Sequence, residues 1–147
     1  MELIILRANN FEQARKLINQ NKDKKIIFSG DDETNRKVLE KEKIQVLLLP
    51  QSEKKDFHKQ RNSGLNQVLT RLAKKKEISM GIDFDEIIKS EGKERAKILA
   101  RVMQNIGLCK KAKLKMEFIC TEHKINKNDL ISFGLTLGMP TWMISFD

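Results

Sequence analysis

Apolar runs alternate with stretches in which apolar residues recur three to four positions apart, and the alternation holds from one end of the chain to the other. ELIILR (2–7) reads as a strand; after it Asn9 and Asn10 stand as capping candidates, with Glu12 and Gln13 at capping-box distance. Phe11, Ala14, Leu17 and Ile18 then mark the inner face of a helix. The pattern repeats with a buried strand KIIFS (25–29), an acidic helix start at Asp31, Asp32 and Glu33, and a helix through NRKVLEK with Val38 and Leu39 inward. IQVLLLP (44–50) is a strand ended by Pro50, and a charged loop runs on to Ser63.

A helix over 64–75 follows, with Leu65, Val68, Leu69, Leu72 and Ala73 as its buried face, then a strand ISMGI (78–82) and a short turn around DFDEIIKS. A long helix spans Gly92 to Ala112, LKMEFIC (114–120) is a strand, and NDLISFGLTLG (128–138) is a helix stopped at Gly138. TWMISF (141–146) closes the series as a strand. Roughly six continuously apolar strands alternate with five helices, which defines an α/β class with a covered parallel sheet. No linker or low-complexity segment interrupts 1–147, so the chain reads as a single domain.

Charge adds a partner. Lys and Arg number 29 against 20 Asp and Glu, for a net charge of +9 and a pI near 9.6. Such a balance points to a polyanion. No apolar run reaches the ~20 residues of a membrane span, and MELIILR is too short for a signal peptide, so the expected setting is intracellular and cytoplasmic with no membrane partner. Cys109 and Cys120 make no disulfide framework and fit a reducing cytosol. With His58 and His123 they are the available zinc donors, but one Cys-x-x-His pair lacks the second clip of a structural site, and no metal is expected.

The excess is local. From Lys54 to Lys76 eight Lys and Arg face one intervening acid, Asp56. Arg71, Lys74 and Lys75 fall at i, i+3 and i+4 and share a ridge of the helix. At its expected start Ser63 can cap the free amides, Gly64 allows close backbone approach and Arg61 stands just outside, a combination suited to a phosphate. With no tyrosine and 5% aromatic residues, a base-stacking platform is not indicated, and phosphate contact is the expected mode.

No nucleophile elbow, P-loop or dinucleotide motif occurs. Asp83, Asp85 and Glu117 are the carboxylates nearest to barrel chemistry, and they define the alternative of a free-standing metal-dependent hydrolase on a reduced barrel. Asp85 and Glu86 also read simply as first-turn acids of a helix. A flavodoxin-like interaction domain with strand order 2-1-3-4-5 is a further alternative.

In order along the chain, NRKVLE (35–40), IQVLLLP (44–50), RNSGLNQVLTRLA (61–73), GKERAKIL (92–99) and NDLISFG (128–134) resemble ribonuclease P protein component 3, the barrel-shaped protein subunit of archaeal and eukaryotic ribonuclease P. Positions 60–69 read QRNSGLNQVL where the family carries a pattern like RKDSGIDHVL, so the glycine is kept while several charges differ. The family barrel has about eight strands, and this chain starts at what matches its third strand-helix unit. The resemblance implies a TIM-barrel-like, incomplete barrel of about six strands and a noncatalytic, RNA-binding role in removing the 5′ leader from precursor tRNA. The implied partners are ribonuclease P RNA, precursor tRNA through the complex, and a small α/β-sandwich subunit. By matching position Arg61, Arg71 and Lys76 are the first RNA contacts and Arg36 and Lys75 the next, with Lys74 on the same ridge. No cofactor is expected on the protein and no catalytic residue, the hydrolysis falling to the RNA and its magnesium. Two open sheet edges and two apolar faces on the long helix, Ala96/Leu99/Ala100/Met103/Ile106 and Ile98/Val102/Cys109, predict a homo- or hetero-oligomer.

Overall fold

The computed structural model describes residues 2–52, 54–56, 58 and 60–145. Six strands form one parallel sheet: β1 (Leu3–Arg7), β2 (Lys25–Ser29), β3 (Val46–Leu48), β4 (Ser79–Asp83), β5 (Met116–Ile119) and β6 (Ile144–Ser145). The order across the sheet is the order along the chain, β1-β2-β3-β4-β5-β6. The connecting helices are α1 (Phe11–Gln20), α2 (Asp32–Lys41), α3 (Gln67–Lys75), α4 (Phe84–Lys89), α5 (Gly92–Lys111) and α6 (Lys127–Thr136), with a 3-10 turn at Thr141–Met143.

Strand alternation divides the apolar residues into two sets. Ile26, Phe28, Leu47, Met80, Ile82, Met116 and Phe118 point to the helix side and join Ile18, Leu39, Ile98 and Ile106 in the main core. Ile27, Val46, Leu48 and Ile119, with Ile5 against them, form a second, smaller cluster on the inner side. Full burial of each such side chain contributes about 1.5–3 kcal/mol. Phe28 has no exposed surface, and truncating it to alanine costs about 3–5 kcal/mol.

Sequential parallel order is that of a β/α barrel wall, and among the described residues β1 pairs only with β2 and β6 only with β5. The sheet is an incomplete barrel. The flavodoxin order is excluded, because no strand pair skips a neighbour.

The structure corrects several expectations. DFDEIIKS holds a sixth helix, α4, capped by Asp83 with Asp85 and Glu86 in its first turn. The last strand is only Ile144–Ser145 after a 3-10 turn, and Phe146 lies outside the described residues. The buried stripe of α5 is Ile98, Arg101, Val102, Asn105, Ile106 and Cys109, so of the two apolar faces expected on this helix the Ile98/Val102/Cys109 one is core, while on the other Ile106 is buried, Ala96 is exposed and Met103 is 51% exposed. Two polar residues, Arg101 and Asn105, lie inside the stripe that periodicity assigned to apolar side chains alone.

Candidate nucleic-acid interface

α3 carries the basic ridge. Asn66 caps it, its side chain accepting from the Leu69 amide at 2.9 Å. Ser63 and Gly64 therefore lie before the helix and do not form its start. Ser63 is 1% exposed, and Gly64, at φ +80°, turns the chain into the capping residue. The physical reason is the competing Asx cap three residues later, which a pattern anchored on Leu65 overlooks. Leu65 is buried but outside the helix, and Val68, on the expected inner face, is 71% exposed. The inner side of α3 is made by Leu69, Thr70, Leu72 and Ala73, with the Thr70 hydroxyl satisfied by the Gln67 carbonyl at 2.9 Å.

Arg71, Lys74 and Lys75 are exposed on the helix, and Arg61 is exposed ahead of it. Lys76 is half-buried, with Nζ 3.4 Å from the Glu42 carbonyl. Arg61 and Lys76 thus stand at opposite ends of α3, roughly 14 Å of helix apart at 1.5 Å per residue. Arg36, on α2, is held by Glu40 one turn on at 3.1 Å. The basic residues form a stripe along α3 rather than one phosphate pocket.

The loop that brings Arg61 to this stripe is held from beneath by α5. Arg101, 3% exposed, donates from Nε to Asp56 Oδ1 at 2.9 Å and from a terminal nitrogen to the Gln51 carbonyl at 2.9 Å. Gln51 donates to the carbonyls of Leu49 and Ser63 at 3.0 and 2.9 Å, and Asp56 accepts the Asn62 amide at 3.0 Å. The Arg101 hydrogen bond holds the Asp56 carboxyl below its ordinary range. Sequence reasoning missed this anchor. Its signal was an arginine and an asparagine at i+3 and i+7 from Ile98, inside an apolar stripe.

At the carboxyl ends of the strands lies an open cleft of about 780 Å³, bordered by Arg7, Asn35, Lys54, Asp83, Glu86 and Thr121. Its carboxylates are already engaged. Asp85 accepts from the Thr121 amide and hydroxyl, the Glu122 amide and His123 Nδ1; burial alone would raise its pKa, but these bonds outweigh it and hold the group at about 2. Glu86 accepts from the Gln51 and Ser52 amides, and burial pushes its pKa up. Burial likewise raises Asp83, which caps α4 through the Glu86 amide at 3.3 Å. Glu117 sits lower, in register with Gly81, and pairs with Lys25 at 2.7 Å. The three carboxylates of the hydrolase alternative therefore do not meet. Lys54 pairs with Asp32 at 2.6 Å and Lys89 with Glu122.

Of the four candidate zinc donors, Cys120 and His123 border one groove, while Cys109 lies in α5. Burial there pushes the Cys109 thiol up to about 12, and His123 is taken by Asp85. Among the described residues no three His, Cys, Asp or Glu side chains group as a metal site, and no helix is long and apolar enough to cross a membrane.

No family model matches the chain. Ribonuclease P protein component 3 of Methanococcus vannielii is 32% identical over 107 residues, which are 71% of this chain and 44% of that protein. The component 3 protein of Methanosarcina mazei is 30% identical over 86 residues, 58% of this chain and 33% of its own length. The chain spans about 44% or less of these relatives. Among solved structures, a chain of the cryo-EM structure of archaeal ribonuclease P with mature tRNA superposes with a TM-score of 0.80 at 24% identity, covering 96% of this chain and 62% of that one. The fold is shared. By its sequence, the chain is a relative of ribonuclease P protein component 3.

Proposed function

We propose that this chain is an RNA-binding protein subunit of ribonuclease P, supporting the catalytic RNA while it removes the 5′ leader from precursor tRNA. The 32% identity to component 3 across 107 residues carries the reading, and the exposed stripe Arg61–Arg71–Lys74–Lys75 supplies the chemistry for it. Lysine and arginine on a ridge neutralise phosphates and release counterions without reading bases. The RNA, with its magnesium ions, performs the hydrolysis. The partners are ribonuclease P RNA, precursor tRNA within the complex, and a small α/β-sandwich subunit or a second copy at the open edges of β1 and β6.

The arrangement of carboxylates favours this role over a free-standing hydrolase, since Asp85 and Glu117 are spent on a loop clasp and an ion pair. The test is leader removal from precursor tRNA with the chain alone and with ribonuclease P RNA. Cleavage by the protein free of RNA, lost in Asp83→Ala, overturns the reading. Binding to the RNA that weakens and becomes less salt-dependent in an Arg71→Glu/Lys74→Glu/Lys75→Glu variant supports it, with a slope change of about one for each phosphate left unneutralised.

A further inference from the structure

In a parallel sheet of sequential order every helix-to-strand connection emerges on one face, and those leading into β2, β3, β4 and β5 stand side by side, about 5 Å apart where they meet the sheet. All four are rich in lysine. The turn into β2 carries Lys22 and Lys24, and that into β3 carries Lys41 and Lys43. The turn into β4 carries Lys74, Lys75 and Lys76. The turn into β5 carries Lys110, Lys111, Lys113 and Lys115, all four exposed. Eleven of the chain's 29 basic residues thus lie on this face against four acids, Asp23, Glu40, Glu42 and Glu77, of which Glu40 pairs with Arg36 at 3.1 Å and Glu42 faces Arg15 at 3.8 Å. Among the described residues none of these eleven lysines has a carboxylate in ion-pair range.

Lysine near a helix C-terminus is expected from the helix dipole, and that accounts for Lys41, Lys74, Lys75, Lys110 and Lys111. It does not account for Lys22, Lys24, Lys43, Lys113 or Lys115, which lie beyond the helices. Lys113 is the sharpest case. It occupies the position after the α5 cap at φ +58°, a left-handed conformation that favours glycine. A lysine is held there against the backbone's preference. The opposite face, where the helices begin, instead carries acids such as Asp32, Glu33, Asp85 and Glu86 in first turns.

We infer that this lysine face is a second RNA-contact surface, continuous with the end of the α3 stripe, and that it takes the backbone of an RNA duplex; the inference rests on the proposed RNA-binding role. Ammonium groups are point charges that meet phosphates without fixing a base, and the shape of double-stranded RNA is read through its backbone. A lipid surface fits less well, because among the described residues no exposed large apolar side chain stands in these four connections, and Trp142 lies at the neighbouring turn, into β6. Trp142 is the sole tryptophan, 46% exposed beside the lysine row, and gives a built-in optical probe.

The full chain is titrated with a perfectly paired RNA duplex, with single-stranded RNA of equal length and with vesicles of anionic phospholipid, reading Trp142 fluorescence and, independently, filter retention or sedimentation. Lys110→Gln/Lys111→Gln/Lys115→Gln is expected to weaken duplex binding by about tenfold or more near 150 mM salt and to lower the salt slope by about one for each phosphate no longer neutralised. Lys93→Gln/Lys97→Gln, exposed at the other end of α5, leaves both unchanged. Lys113→Gly separates function from folding, because the variant is expected to melt higher and yet bind the duplex more weakly, whereas Glu77→Gly, at φ +59°, melts higher without loss of binding. If the triple variant binds as the wild type while Arg61→Gln/Arg71→Gln does not, the RNA lies along α3 alone and this inference fails while the RNA-binding role stands. If the triple variant loses only vesicle binding, the face is a lipid surface and the inference fails. If the unaltered chain binds no RNA at all, the RNA-binding role itself fails.

Discussion

The guanidinium of Arg101, buried on α5, donates from Nε to Asp56 Oδ1 at 2.9 Å, across 45 residues of chain. That bond, with the one to the Gln51 carbonyl, helps hold the described residues of the 51–63 loop against the body of the protein, together with the Glu86 bonds to the Gln51 and Ser52 amides and the Lys54–Asp32 pair. A loop held by a few polar contacts opens more readily when one of them is removed. Arg101→Ala is expected to speed tryptic cleavage after Lys54, Lys55 and Arg61 several-fold relative to sites on helices, and to weaken RNA binding through Arg61. Lys at the same position keeps the charge but not the paired geometry, and rescues only part of the effect. Equal cleavage rates in wild type and Arg101→Ala would show that the loop is held by something else.

Asp85 is expected to carry much of the acid sensitivity, with Asp31 and Asp56 lowered in the same sense. The folded pKa of Asp85, about 2, lies below the ordinary 3.8, so the stabilisation it provides is fully present above about pH 4 and is lost as pH falls toward 2. The shift corresponds to on the order of 2 kcal/mol. Asp83 and Glu86 act in the opposite sense, since their raised values disfavour the ionised folded form and their burden lifts on acidification. Denaturant unfolding of Asp85→Asn between about pH 2 and pH 5 is therefore expected to show a flattened acid limb from a lower starting stability. An acid limb as steep as that of the wild type would assign the sensitivity to other carboxylates.

Gly64 connects the tethered loop to the helix cap. A Cβ there would stand 2.9 Å from Lys54 Nζ and 3.3 Å from Asp32 Oδ1, on a backbone at φ +80°. Gly64→Ala is expected to cost about 1–2 kcal/mol from the left-handed conformation and to displace Lys54 from Asp32. Thermal melting at low and high salt checks both parts, because the loss of the ion pair reduces the salt dependence of stability. Unchanged melting would contradict the geometry assigned to this turn.

The alternation of strands with helices, and several helix ends, were legible in the chain because they rest on local chemistry. Asn10 and Asp31 cap α1 and α2 as their positions foretold, Val38 and Leu39 are fully buried, and Gly138 ends the α6 segment at φ +99°. The errors came where burial is not apolar. Arg101 and Asn105 point inward because a loop 40 to 50 residues away supplies partners, and periodicity within α5 holds no record of that. Ser63 and Gly64 do not open the helix as expected, and the Ser63 carbonyl is bonded by the side chains of Gln51 and Asn105, contacts that the local sequence does not record. The lysine row is visible in the sequence only once the strand order places its four turns together.

Two strands have an unpaired side among the described residues, β1 at one edge and β6 at the other. Such edges recruit strands. Leu3 on β1, 40% exposed, borders a groove with Glu117, Ile125, Leu130 and Ser145 from the β5–β6 side. Light scattering at micromolar concentration is expected to find self-association, or a shift in mass when the small sandwich subunit is added. A monodisperse monomer indifferent to that subunit would contradict both forms of the proposal.

The most direct test is recovery of this protein from its native cells under gentle conditions, followed by sequencing of the RNA that accompanies it and assay of that RNA on precursor tRNA. The account predicts one dominant RNA, released by salt, that cleaves the 5′ leader in the presence of magnesium. Recovery of the protein free of RNA, or with an RNA that leaves precursor tRNA intact, would contradict it.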